Sequence, residues 1–215
     1  DLRCLAGRDG SGVVNIGQGQ DWGGTGPLPS DGIIVGTDVE MRAVLVEARR
    51  SGMEPPPVGL LGGDMCRTLG GRGDLGRLTG AEATRVRVDV GSALIDGRLH
   101  WFCAHLVAGS WWRGRTWVAA VAAYCGRWNI APRAHPGDGL LDVLYGDLSF
   151  GVRMAARRRL LSGTHVPHPG ITYRRTPAIQ VEFPNPIRIR LDGEDIGRAT
   201  HLSVRVEAGA LRLVV

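Results

Sequence analysis

The chain has 215 residues, 43% of them hydrophobic, with 33 glycines and a formal net charge of +5, which is enough for one large domain or two small ones with ample core. All 26 basic side chains are arginine. A high-GC genome produces that bias, and the lack of lysine removes Walker-type phosphoryl transfer, which needs a lysine on the phosphates.

Residues 1–30 are rich in Gly and Pro, close on Gly23-Gly24-Thr25-Gly26-Pro27, and read as loop with a short strand at 13–16. The opening from Asp1 lacks the apolar stretch of a signal peptide. Gly32-Ile33-Ile34-Val35-Gly36 is a short apolar β-rich run, the pattern of a buried parallel strand. A helix follows on a stripe of Val39, Ala43, Val44 and Val46, with Arg42, Glu47, Arg49 and Arg50 mostly off it, and Gly52 ends it. After Pro55-Pro56-Pro57, Val58-Gly59-Leu60-Leu61 is a second strand that runs into Gly62-Gly63-Asp64 and a helical turn over 65–69. Strand, helix, strand, helix is the grammar of a doubly wound parallel sheet.

The texture changes at Thr84. Arg85-Val86-Arg87-Val88-Asp89-Val90 alternates strictly, as a half-buried antiparallel strand does, and Asp96-Gly97 is a hairpin turn. Further strands are expected at 140–144, 179–183, 187–191, 202–206 and 211–215, with helices over 111–124 and 150–161. The expected fold is therefore α/β plus all-β. A small doubly wound α/β domain over 1–83 precedes an antiparallel β-sandwich over 84–215.

Cys4, Cys66, Cys103 and Cys125 form no C-x-x-C pair, so reduced, mostly buried thiols are expected, pointing to the cytoplasm. His165 and His168 sit between prolines without a helix to align them, and His100 and His105 fall on opposite faces of one strand-like run. Trp111, Trp112 and Trp117 lie among Arg113 and Arg115; core packing is the ordinary reading of such tryptophans. The mixture also suits a lipid interface, as does the basic segment Met154-Ala155-Ala156-Arg157-Arg158-Arg159-Leu160-Leu161. No apolar run reaches the roughly 18 residues that span a bilayer, and no base-reading motif accompanies the charge, which sets nucleic acid aside.

Three blocks in order carry a resemblance. Gly126-Arg127-Trp128-Asn129-Ile130-Ala131-Pro132-Arg133-Ala134, then Asp138-Gly139-Leu140-Leu141-Asp142-Val143, is similar to "GGG-x-x-I-A-P-x-A … D-G-L-L-D-V". His168-Pro169-Gly170-Ile171 resembles "H-P-x-V", and Leu191-Asp192-Gly193-Glu194 resembles "v-D-G-E". All three belong to the diacylglycerol kinase, sphingosine kinase and YegS-like lipid kinase family. The first half matches less: Gly62-Gly63-Asp64 with Arg67 and Leu69-Gly70 follows "G-T-x-N-D-x-A-R-t-L-G" without its Thr and Asn. Gly36-Thr37-Asp38-Val39-Glu40 stands where the family has "G-G-D-G-T". Val39 brings a Cβ where glycine allows close approach, and Glu40 brings an anion towards phosphate.

The resemblance implies phosphoryl transfer from ATP, with Mg²⁺, to a lipid or lipid-like alcohol. Asp192 would be the general base, with Glu194 beside it toward the nucleotide metal. Gly36, Asp38, Gly62, Gly63, Asp64 and Arg67 would hold the nucleotide, and Asp138 and Asp142 would associate with metal. The alternative is a member that keeps the cleft, has lost the nucleotide site and binds or scaffolds. Asp38 and Asp64 also read as helix N-caps, and Asp192, Asp138 and Asp142 as plain turn residues. The expected partners are the alcohol substrate, an anionic membrane at its periphery and a second copy of the chain.

Overall fold

The computed structural model describes residues 23–110 and 115–215. The strand expected at 13–16, and Trp111, Trp112 and Arg113, lie outside the described residues. The chain opens with β1 (Gly23–Thr25), β2 (Ile33–Val35), α1 (Asp38–Arg50), β3 (Val58–Leu60), α2 (Gly63–Thr68) and the short α3 (Leu75–Leu78). β2 and β3 pair in parallel, Ile33 opposite Val58 and Val35 opposite Leu60, with α1 as the crossover. Thr37 caps α1 by accepting from the Glu40 N–H at 3.2 Å, and Gly52, at φ +66°, turns the chain out of the helix.

Two expectations need correction here. The buried face of α1 is Met41, Leu45 and Ala48 together with Asp38 and Arg42, while Ala43 is exposed. The apolar stripe read from the sequence is thus rotated, because this face turns Arg42 toward buried carboxylates as well as its apolar residues toward the core. β2, expected to be fully buried, leaves Ile33 and Ile34 exposed; among the described residues it pairs with β3 alone.

The remainder is antiparallel apart from one junction. β4 (Thr84–Ile95), β5 (Arg98–Phe102), β6 (His105–Gly109), β7 (Thr116–Ala120), β10 (Leu141–Gly146), β11 (Ile171–Thr176), β12 (Ala178–Leu191) and β13 (Glu194–Val214) join one sheet, in the order β1-β4-β13-β12-β6-β7-β10-β11. β8 (Tyr124–Cys125) and β9 (Trp128–Asn129) form a separate hairpin, and α4 (Phe150–Arg159) links β10 to β11. Asp96 (φ +46°) and Gly97 (φ +82°) make the turn between β4 and β5. β4 and β10 stand far apart along the sheet, yet Val88, Val90 and Phe102 share one core with Leu106, Ala119, Leu141 and Val143. The ladder therefore folds over itself into a sandwich. The four short strands expected at the C-terminal end are two long ones, β12 and β13, and β13 is bulged between Glu207 and Leu211. The end of β13 pairs in parallel with β3, Leu213 opposite Val58, so the sandwich and the α/β part share a continuous ladder.

The helix expected over 111–124 is absent from its described part. Thr116–Ala120 is instead β7, buried throughout between β6 and β10. A run such as Trp117-Val118-Ala119-Ala120-Val121 is apolar on every side, so its periodicity does not separate a helix from a strand with two buried faces. Pairing on both edges decides for the strand.

Candidate functional site

The two strand-to-helix turns of the α/β part come together. Gly62 precedes α2 where an added Cβ would lie 2.5 Å from the Gly36 carbonyl oxygen, so only glycine allows that approach. At the first turn, the Gly36 N–H donates to Glu40 Oε2 at 2.6 Å. At the second, Asp38 reaches across and accepts from the N–H groups of Asp64 (2.5 Å) and Met65 (3.0 Å), capping α2 from the neighbouring turn. Gly63, at φ +93°, passes so close to this carboxylate that a Cβ would meet it at 2.8 Å. Burial raises the Asp38 carboxyl above its usual range, and the two N–H donors oppose that shift.

Asp64 projects from the first turn of α2 toward the sandwich. Its Oδ1 accepts from the Gly126 N–H at 2.6 Å, and its Oδ2 lies 3.8 Å from His105 Nδ1. The Thr68 hydroxyl of α2 accepts from the Ala123 and Tyr124 N–H groups, which fastens the helix to the β8 hairpin. Arg67 lies on the rim: its guanidinium donates to the Gly126 carbonyl at 2.9 Å and sits 4.5 Å over the Tyr124 ring. His105, at the start of β6, is buried and donates from Nε2 to the Tyr124 carbonyl. Burial pushes its pKa down to about 4, so the ring is neutral and its approach to Asp64 is not an ion pair. Burial, and then the Asp64, Asp38 and Asp192 carboxylates, push the Cys125 thiol up to about 12.

Asp192 and Gly193 form the turn between β12 and β13, at φ +51° and +88°. The turn reading from the sequence is therefore right about the backbone, but the carboxylate is not solvated. It has no exposed surface and accepts from the N–H groups of Cys103 (3.0 Å), Ala104 (2.7 Å) and His105 (3.1 Å). Burial pushes its pKa up to about 7, against the pull of those three donors and of Arg42, 4.0 Å away. Arg42 also donates to the Leu191 carbonyl at 2.8 Å and pairs with Glu194, whose side chain is half exposed. A chain of contacts thus runs from Glu194 through Arg42, Asp192 and His105 to Asp64 and Asp38. Gly36, Gly62 and Gly63 stand at its far end.

Asp138 and Asp142 form a different network. Arg175 pairs with Asp138 and approaches Asp142 at 3.4 Å, and the Tyr173 hydroxyl donates to Asp142 Oδ1 at 2.5 Å. Burial raises the Asp142 carboxyl, and its Oδ2 is enclosed without a partner. No hydrogen bond or ion pair among the described residues joins this network to Asp192.

ATP and Mg²⁺, which the resemblance implies, can be tested against these contacts. A phosphate at the two turns would have to displace Glu40 from Gly36 and Asp38 from Asp64 and Met65. A divalent cation at Asp138 and Asp142 would have to displace the Arg175 guanidinium. In this arrangement the residues do not fit either group.

Elsewhere, a groove of about 1260 Å³ is lined by Trp117, Phe183 and Ile187 together with Arg115, Arg188 and Arg190. α4 buries none of its residues fully and exposes Phe150, Val152 and Met154 beside Arg157, Arg158 and Arg159. No helix among the described residues is long and apolar enough to cross a membrane. Sequence reasoning missed three participants of the site: Arg42, His105 and Cys125. A polar residue on the core-facing side of α1 was the available signal for Arg42. Nothing local marks the other two, which meet Asp64 only through the sandwich.

Residues 77–215, well over half of the chain, match the family model of the YegS C-terminal NAD kinase beta sandwich-like domain. No curated protein sequence gives a significant match. A solved structure described as a diacylglycerol kinase from Bacillus anthracis str. Sterne has a TM-score of 0.61 at 16% identity, covering 85% of this chain and 75% of that one. One described as a putative diacylglycerol kinase from the same organism has a TM-score of 0.65 at 16% identity, covering 85% and 77%. At these identities the likeness is one of fold. With residues 77–215 matched by that family model, the chain belongs to the family of the YegS C-terminal NAD kinase beta sandwich-like domain, and it shares its fold with these two structures.

Proposed function

We propose that this protein is a ligand-binding member of the lipid-kinase family that does not use ATP as a phosphoryl donor. The observation that carries the reading is the capping of its nucleotide-facing turns by its own carboxylates, Glu40 on the Gly36 amide and Asp38 on the Asp64 and Met65 amides. A phosphate would exchange places with a covalently tethered anion, and the gain on binding falls accordingly. The ligand is a lipid-like amphiphile with an anionic head: the groove pairs Trp117, Phe183 and Ile187 with arginines, and α4 adds apolar and basic side chains suited to the edge of an anionic membrane.

A thermal-shift titration with ATP and ADP, with and without Mg²⁺, tests it, because a ligand of the folded state stabilises it. Dissociation constants no tighter than about millimolar are expected. Val39→Gly with Glu40→Thr, which restores the family turn, should tighten them. A micromolar ATP affinity in the unaltered protein overturns the reading.

A second reading, transfer of phosphate to a lipid alcohol, is favoured by one observation: burial pushes Asp192 up to about 7, the range that suits a general base at neutral pH. It requires a state in which that carboxylate reaches a hydroxyl. ATP-dependent phosphorylation of lipid alcohols that is lost in Asp192→Asn would establish it.

A further inference from the structure

Asp64, His105 and Cys125 each bring a ligand atom to one place; a ring nitrogen, Sγ and a carboxylate oxygen all lie within 4.8 Å of one another, with Nδ1 3.8 Å from Asp64 Oδ2. The three come from α2, β6 and β8, so the tertiary structure assembles the group. The hydrogen bonds around it settle which atoms face inward. A carbonyl only accepts, so the Tyr124 oxygen fixes the proton of the His105 ring on Nε2 and leaves Nδ1 with its lone pair. That lone pair faces Asp64 Oδ2 at 3.8 Å, too far for a hydrogen bond and with no proton between two acceptors. Asp64 is oriented in the same way: the Gly126 N–H holds Oδ1, and Oδ2 is left toward the histidine. A cation between the two acceptors would be held by both, with the Cys125 sulfur close by.

We propose that Asp64, His105 and Cys125 form a binding site for a zinc-class divalent transition metal, with a fourth coordination position open. One carboxylate oxygen, one imidazole nitrogen and one thiolate are the donor set of a borderline-soft ion rather than of Mg²⁺ or Ca²⁺. Tetrahedral zinc with bonds of about 2.0–2.3 Å sets its ligands about 3.3–3.6 Å apart. His105 and Asp64 close by roughly half an ångström to meet this, and an atom pair at the 4.8 Å limit by up to roughly 1.2 Å. The Tyr124 carbonyl behind the imidazole and the Gly126 amide behind the carboxylate are the outer contacts that hold metal ligands in register. Binding releases the Cys125 proton to solvent as the thiolate forms. Three protein ligands leave the fourth position to water or to an anionic oxygen. Asp64, a quarter exposed, keeps that side reachable, with the Arg67 guanidinium on the rim.

Chelator-treated, full-length protein is titrated with Co²⁺ and followed by absorbance, then with Zn²⁺ in competition. One equivalent of Co²⁺ is expected, with visible d–d bands of a tetrahedral site and a thiolate-to-cobalt band in the near ultraviolet, both displaced by Zn²⁺. Cys125→Ser should abolish the thiolate band, and Asp64→Asn should weaken binding at least about 100-fold, beyond the loss typical of an outer-shell contact. Circular dichroism verifies that each variant is folded. Should Cys125→Ser fail to fold, alkylation of Cys125 in the folded protein, blocked by Zn²⁺, reports the same contact. Absence of a stoichiometric cobalt spectrum, or a spectrum unchanged in both variants, overturns the proposal.

Discussion

Replacing Asp192 by Asn separates a buried, proton-binding carboxyl from a plain turn former. The substitution keeps the side-chain shape, and Asn tolerates the left-handed backbone at φ +51°. What changes is the chemistry facing Cys103, Ala104 and His105, whose N–H groups all point at this side chain. The amide offers one acceptor oxygen and sets its NH₂ against an N–H donor, a conflict that costs about 1–3 kcal/mol. Proton linkage adds a pH dependence. The folded pKa is raised to about 7 from 3.8. Between those values the folded state holds a proton that the unfolded state has lost, so stability falls as pH rises through the window. At up to about 1.36 kcal/mol per unit, this carboxyl removes about 2.3 kcal/mol between pH 5 and pH 7 and about 0.4 kcal/mol more above it. The amide does not titrate. The unaltered protein should therefore be the more stable of the two at pH 5, and the gap should close or reverse by pH 8. Urea unfolding of both proteins at the two pH values, in the presence of chelator, measures the difference and cancels the contribution of the other buried acids. A gap that stays constant, or widens toward pH 8, refutes the reasoning; it would mean that Arg42 and the three amides favour the ionised carboxylate outright.

Two further outcomes are expected. Gly91→Ala would place a Cβ 1.9 Å from Phe102 Cζ, its cross-strand partner; a loss of about 1–3 kcal/mol in urea unfolding is expected, with partial recovery when Phe102→Leu is added, and no loss would mean the strands part easily there. Tyr173→Phe removes the hydroxyl that donates to the fully buried Asp142 and should cost about 1–3 kcal/mol. An unchanged unfolding midpoint would show that Arg175 alone satisfies that carboxylate.

The alternation of Val86, Val88 and Val90 with Arg85 and Arg87, the Asp96-Gly97 turn and the strand-helix-strand run around α1 are local signals. The structure repeats the valine face of β4 and the turn, and it repeats the order of elements around α1, although the buried face of α1 is rotated from the one read and Ile33 and Ile34 of β2 are exposed. The same kind of signal failed at Trp117-Val118-Ala119-Ala120-Val121, where a uniformly apolar run has no face to declare, and partners on both edges made it a strand. The site divides along the same line. Asp38, Asp64, Asp192 and Glu194 were legible because motifs carry them. The state of Asp192 was not, since its burial depends on three amides about 90 residues earlier in the chain. Glu40 could be read as an anion near a phosphate turn, but only the helix geometry shows it seated on the Gly36 amide. His105 and Cys125 meet Asp64 because the sandwich folds back over the α/β part and delivers them there. Sequence determines composition, period and turn chemistry, which act over a few residues; which charges are desolvated together is decided by the packing of distant strands, and that alone sets their protonation and the ligands they take.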